Sequence, residues 1–188
     1  MKKVHALAIL AISSLIAFQA NAQDTNTDNH QITVVVPNVA LLDLETSVSK
    51  DFNAAFAQPD PDEAGEKVAV PDDNSDLWLN YSSIIPSALT GGRTVKVKAS
   101  TVVPGVGIIV VAGAATSGGK GTLGTPTAAV TLTTTDQSLI TGIGSAYTET
   151  GPSKGHQLTY SFTALDADYA LLRAETTPVT VTYTLVDN

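Results

Sequence analysis

Oxygen ligands crowd one stretch of this chain: Asp60, Asp62, Glu63, Asp72, Asp73, Asn74 and Asp76 all fall between residues 58 and 76. Calcium prefers about six to eight oxygen ligands, so it is the one metal this composition suggests. Asp72, Asp73 and Asp76 are the candidate ligands. The spacing does not follow the EF-hand loop, and a solvated acidic loop fits the same residues. Zinc needs three or four close Cys, His or carboxylate ligands, and the chain has no Cys and three His. The expectation is therefore no cofactor, with calcium as the exception to test.

Catalytic arrangements are sparse. His5 lies in the N-terminal leader, His30 in a polar tail and His156 in a glycine-flanked loop. There is no Gly-x-Ser-x-Gly, so a Ser-His nucleophile has no evident frame. Gly118-Gly119-Lys120-Gly121-Thr122 lacks the spacing of a phosphate-binding loop and reads as a flexible connection. Asp43 and Glu45 share one strand face, as do Asp166 and Asp168, but polar strand ends commonly carry such pairs. The residues point away from an enzyme. Trp78 and Tyr81 are the candidate platform for a sugar or other ligand, since Trp78 has the opposite parity to Leu77, Leu79 and Tyr81. The competing role for both rings is core packing.

The N-terminus bounds where the protein works. Lys2 and Lys3 precede an apolar run from Ala6 to Ala17, and Ala20-Asn21-Ala22 supplies small residues at a cleavage site. This is the three-part pattern of a secretory signal peptide over residues 1–22. The run is shorter than the roughly 20 residues a spanning helix needs. The expected destination is the periplasm, the cell surface or the medium of a bacterium. No later run is long enough to span a membrane after cleavage. Loss of Lys2 and Lys3 takes the net charge from −8 to −10, which disfavours nucleic acid as a partner. Without cysteine, the exported domain must be held by packing and hydrogen bonds alone.

These residues must be positioned by strands. Residues 23–31 read as a flexible tail, followed by one domain over 32–188. ITVVVPNVALLDL (32–44) predicts a long strand, with Ile32, Val34, Val36, Ala40, Leu42 and Leu44 on one parity and Pro37 as a kink or edge marker. Val48, Phe52 and Phe56 are spaced for a short helix within 46–57. Residues 58–76 form the acidic loop. Strands are predicted at 77–85, 93–100, 106–115, 128–135, 137–144, 157–165 and 178–185, with 117–126 and 147–156 as loops and 168–174 ambiguous. About eight strands at short intervals, rich in Val and Thr, predict an all-β, Ig-like antiparallel β-sandwich.

A polar tail, an apolar strand and a long loop precede the main run of strands. The segment holding Ile32, Val34, Val36, Ala40 and Leu42 can therefore complete its own sheet or be added to a neighbour's. On ITVVVP, the closing strand PVTVTYTL with Tyr183, and the leader, the chain resembles bacterial fibre subunits with an incomplete Ig-like fold, the chaperone–usher pilins and spore-coat-U-like proteins. The Cys pair of many such subunits is absent. The resemblance implies a subunit that donates its N-terminal extension to the next copy, with itself or other envelope proteins as partners. The first expectation is thus an exported structural or fibre-forming protein. The alternative is a secreted carbohydrate- or ligand-binding β-sandwich module.

Overall fold

The computed structural model describes residues 26–59 and 63–188. The expected leader and the loop residues Asp60 and Asp62 lie outside the described residues. The chain divides into two units, one ending at Val35 and one running from Val36 to Asn188. In the first unit, residues 26–35 form neither helix nor strand.

The second unit is all-β. Its described strands are β1 (Val39–Thr46), β2 (Asn74–Ile84), β3 (Arg93–Ala99), β4 (Val106–Ala115), β5 (Lys120–Pro126), β6 (Val130–Thr131), β7 (Gln137–Tyr147), β8 (His156–Ala164) and β9 (Val181–Asp187). A short 3-10 helix, Asp166–Leu171, lies between β8 and β9. Every strand pair is antiparallel, in the order β6-β4-β8-β2-β7-β3-β9, with β1 beside β2 and β5 beside β7. β2 is the shared strand. It meets β8 through Asn74–Leu79 and β7 through Ser82 and Ser83, while β1 lines its other edge.

Alternation sets which faces are buried. In β8, His156, Leu158, Tyr160, Phe162 and Ala164 are buried, and the polar residues between them are half-exposed. In β3, Val95, Val97 and Ala99 are buried while Lys96 and Lys98 are not. Leu158, Tyr160, Phe162, Val95, Val97 and Ala99 join Leu77, Leu79, Val110, Leu139, Ile140 and Ile143 in one apolar cluster. Each such aliphatic side chain stabilises the fold by roughly 1.5–3 kcal/mol on burial. Strands that do not pair also touch through side chains: the Tyr160 hydroxyl of β8 meets the Tyr183 hydroxyl of β9 at 2.5 Å.

Several expectations are corrected. The strand expected over 32–44 runs over Val39–Thr46, because its partner β2 ends at Ile84, opposite Val39, and among the described residues 32–38 belong to no strand. Residues 46–57 form no helix. The segment is irregular, with Phe52 edge-on to the rings of Tyr160 and Phe162, Phe56 packed on the core and Val48 exposed. Residues 117–126 are not wholly a loop, since β5 occupies most of them. The strand expected at 128–135 shrinks to two residues. The strand expected at 106–115 is β4, which meets β8 along its length and the two-residue β6 on its other edge. The acidic loop is shorter than expected, because Asn74–Asp76 already belong to β2. It closes through paired backbone hydrogen bonds between Ala57 and Ala69. It is also tied to the 3-10 helix, where Lys67 binds the Asp166 carboxylate and Val68 N–H donates to the Tyr169 hydroxyl at 3.3 Å.

Candidate assembly segment and the sheet face beside it

The expected assembly residues fall into two groups. Ile32, Val34 and Val36 precede β1 and are 72%, 78% and 66% exposed, with Val35 at 83%. Ala40 and Leu42 lie inside β1, opposite Ser83 and Tyr81 of β2. Leu42 and Leu44 pack on the core, whereas Ala40 is exposed. The second group already completes this chain's own sheet. The first group is an apolar, β-patterned run with no strand partner among the described residues.

The root of that run is fixed by a residue that sequence reading missed. Arg93 opens β3 with a side chain 1% exposed. Its Nη2 donates to Asn38 Oδ1 at 2.6 Å, and its Nη1 donates to the Val39 carbonyl and to Ser83 Oγ, the latter at 3.0 Å. Its Nε donates to Asp187 Oδ1 at 2.7 Å. One guanidinium thus ties β3, β9, β2 and the start of β1. A signal was present in the sequence: Arg93 shares the parity of Val95 and Val97, so the alternation places a charge on the dry face.

The outward face beside this root forms a row across four strands. Leu41 of β1 opposes Ser82 of β2, Ser82 opposes Tyr147 of β7, and Tyr147 opposes Lys120 of β5. Leu41 is 65% exposed and Tyr147 49%. Further along the same face, Asp43 opposes Asn80 and Glu45 opposes Trp78. Trp78 is half-buried between Glu45 and Gln157. Tyr81 points the other way and is 3% exposed, so it is a core ring and offers no platform. A hollow lined by Asp43, Asn80, Ser82, Tyr147, Glu149 and Thr150 opens on this face.

His156 also departs from expectation. It is the first residue of β8 and is fully buried, not part of a mobile loop. Its ring stacks on Tyr81. Nδ1 lies 2.8 Å from the Gly113 carbonyl and Nε2 lies 3.0 Å from the Tyr81 hydroxyl, which itself donates to the Leu123 carbonyl. Through these contacts the ring joins β8, β4, β2 and β5. Burial holds its pKa below the usual range, while the Gly113 and Leu123 carbonyls pull the other way. His30 is exposed in the first unit.

Asp72, Asp73 and Asp76 are exposed, and Asp76 exchanges hydrogen bonds of 3.3 Å with Asn74. Among the described residues, no three His, Asp or Glu side chains come together as a metal site. Among them too, no helix is long and apolar enough to cross a membrane.

No protein-family model matches this chain, and neither a curated protein nor a solved structure matches it.

Proposed function

We propose that this is an exported, non-enzymatic structural subunit of a bacterial surface, whose copies join by adding residues 32–36 to a neighbour. One observation carries this reading: the four apolar residues of the β-branched run 32–36, Ile32, Val34, Val35 and Val36, stand exposed ahead of a strand that is already paired. β-branched residues suit a pleated, half-buried surface, and here they have none. Strand addition supplies one from a second molecule. The body is read as an Ig-like sandwich. One layer is β6-β4-β8-β2-β1 and the other is β5-β7-β3-β9, with β2 crossing to β7 at one corner. Contacts from Tyr160 to Tyr183 and from Tyr81 to Leu123 support two facing layers, since each links strands that do not pair. The test is the solution mass of the chain from Gln23 onward. Multiples of the subunit mass that vanish when residues 23–36 are removed support the reading.

The hollow beside Tyr147 and the half-buried Trp78 favour a second reading, a carbohydrate- or ligand-binding module. That reading requires retention on a polysaccharide matrix that is lost in Trp78→Ala and Tyr147→Ala.

A further inference from the structure

We infer that the hollow between β1 and the β7–β8 loop, residues 148–155, binds a small organic cation, an alkylammonium group carried on a short hydrocarbon chain. The inference rests on the second reading above, that this hollow takes a ligand, and names the ligand's class. The hollow has a volume of about 360 Å³. Two carboxylates line it, Asp43 from β1 and Glu149 from the loop, and among the described residues no Lys or Arg does. Leu41 and Tyr147 supply its apolar wall. Each carboxylate already has a lysine, but neither pair is sheltered. Lys50 lies 3.4 Å from Asp43 and Lys154 lies 2.6 Å from Glu149, with all four side chains at least 36% exposed. Such pairs contribute little, because water screens both partners. A cation seated in the hollow meets both carboxylates at once and lies against the Tyr147 ring, whose face attracts positive charge. Its methylenes cover Leu41. The net charge of −8 favours a cation over a neutral or anionic ligand.

A second observation points to a ligand. Asn80 lines the hollow and is 4% exposed. Its Nδ2 donates to the Gly151 carbonyl at 2.9 Å, but its Oδ1 is buried with no donor. A buried acceptor left unpaired is costly. The loop sits on that oxygen: a Cβ at Gly155 would come within 2.5 Å of it. The same loop holds Glu149 at φ 69° and Ser153 at φ 64°, the non-glycine residues with positive φ among those described. Strain of this kind persists where surrounding contacts impose it, and it gathers at ligand clamps. Those contacts are present. Thr148 Oγ1 accepts from the Tyr81 N–H at one end of the loop, and the Thr116 N–H donates to the Gly155 carbonyl at the other. An ammonium N–H entering beside Glu149 supplies the missing donor to Oδ1 as the loop yields.

Calorimetric titration of the purified chain with 1,4-diaminobutane tests this, with 1,4-butanediol as the uncharged counterpart. Saturable binding of the diamine and none of the diol is expected, weakening as salt rises. Asp43→Asn and Glu149→Gln should each weaken binding about tenfold, and Tyr147→Ala severalfold. Asp72→Asn, an exposed carboxylate outside the hollow, should leave it unchanged. Thermal midpoints of these exposed-site variants should match the parent, so that lost binding is not lost fold. Amide exchange over 149–155 should change when the diamine binds. If the diamine does not bind but the chain is retained on a polysaccharide matrix, the inference fails while the binding-module reading stands. If neither binds, both fail. Diamine binding that survives both Asp43→Asn and Glu149→Gln would be diffuse attraction to an acidic surface and would overturn the site.

Discussion

Arg93 and Asp187 face each other across β3 and β9 and are joined by a 2.7 Å hydrogen bond from Nε to Oδ1. The guanidinium is buried while the carboxylate is 57% exposed. The pair is therefore one-sided: solvent can replace Arg93 for Asp187, but nothing replaces the acceptors for Arg93. The same guanidinium holds Asn38 and Val39, where the exposed segment meets β1. Stability of the seam thus depends on one side chain.

Arg93→Met should destabilise the domain by about 2–4 kcal/mol, because Asn38 Oδ1, the Val39 carbonyl and Ser83 lose a charged donor together. Asp187→Asn should cost about 1.5 kcal/mol or less, since its carboxylate is partly screened by water. Urea unfolding of the two variants checks the order. An equal loss in both would contradict the one-sided pair.

The buried ring of His156 makes stability depend on mild acid. Its folded pKa is depressed by burial, so in the window below about 6.5 the unfolded chain binds a proton that the folded chain resists. The stabilisation is intact above that value and is lost as pH falls through it towards the folded pKa. Thermal midpoints between pH 7.5 and 5.5 should fall in the parent, and the slope should flatten in His156→Gln. A slope unchanged by that substitution would remove His156 from the account.

Alkali should act through the tyrosines. Burial pushes Tyr160 up to about 12, with the Tyr183 hydrogen bond pulling slightly down. Burial also raises Tyr81 and, together with the neighbouring Tyr160, Tyr183. The unfolded chain releases these protons near pH 10, where the folded chain keeps them. Stability is therefore complete below about pH 10 and is lost as pH rises towards 12. The tyrosinate absorbance of the three buried rings, Tyr81, Tyr160 and Tyr183, should appear together with loss of structure, not before it, and Tyr160→Phe should reduce the pH dependence.

Gly121→Ala tests how β5 is held. Gly121 has φ of 88°, and a Cβ there would overlap the Ser145 carbonyl oxygen of β7. The pairing register shifts between Gly121 and Leu123. The substitution should cost about 1–3 kcal/mol from backbone strain, with a further loss as β5 draws away. Amide exchange over residues 120–126 should rise before that of β3 or β8. Uniform exchange would show that β5 is not separately attached.

The strands legible in the sequence are those whose own residues alternate against a buried face. β3 and β8 are the clearest, because Val95, Val97, Leu158, Tyr160 and Phe162 repeat every second position. β5 was not legible. Its glycines read as a loop, and its place depends on pairing with β7, which no local pattern encodes. The helix expected around Phe52 mistook an irregular segment for a helical face, since both can send spaced aromatics to one core. Of the site, the apolar run at 32–36 was visible as composition. The row from Leu41 to Lys120 was not, because it joins four strands from distant parts of the chain.

Assembly through residues 32–36 is the central claim, and light scattering tests it most directly. The chain from Gln23 onward is compared with a chain beginning at Pro37, which keeps β1 and the Arg93 contacts with Asn38 and Val39. The account predicts multiples of the subunit mass for the first and a monomer of unchanged thermal midpoint for the second. A longer chain that stays monomeric on concentration, or a shorter one that still forms multiples, would contradict it.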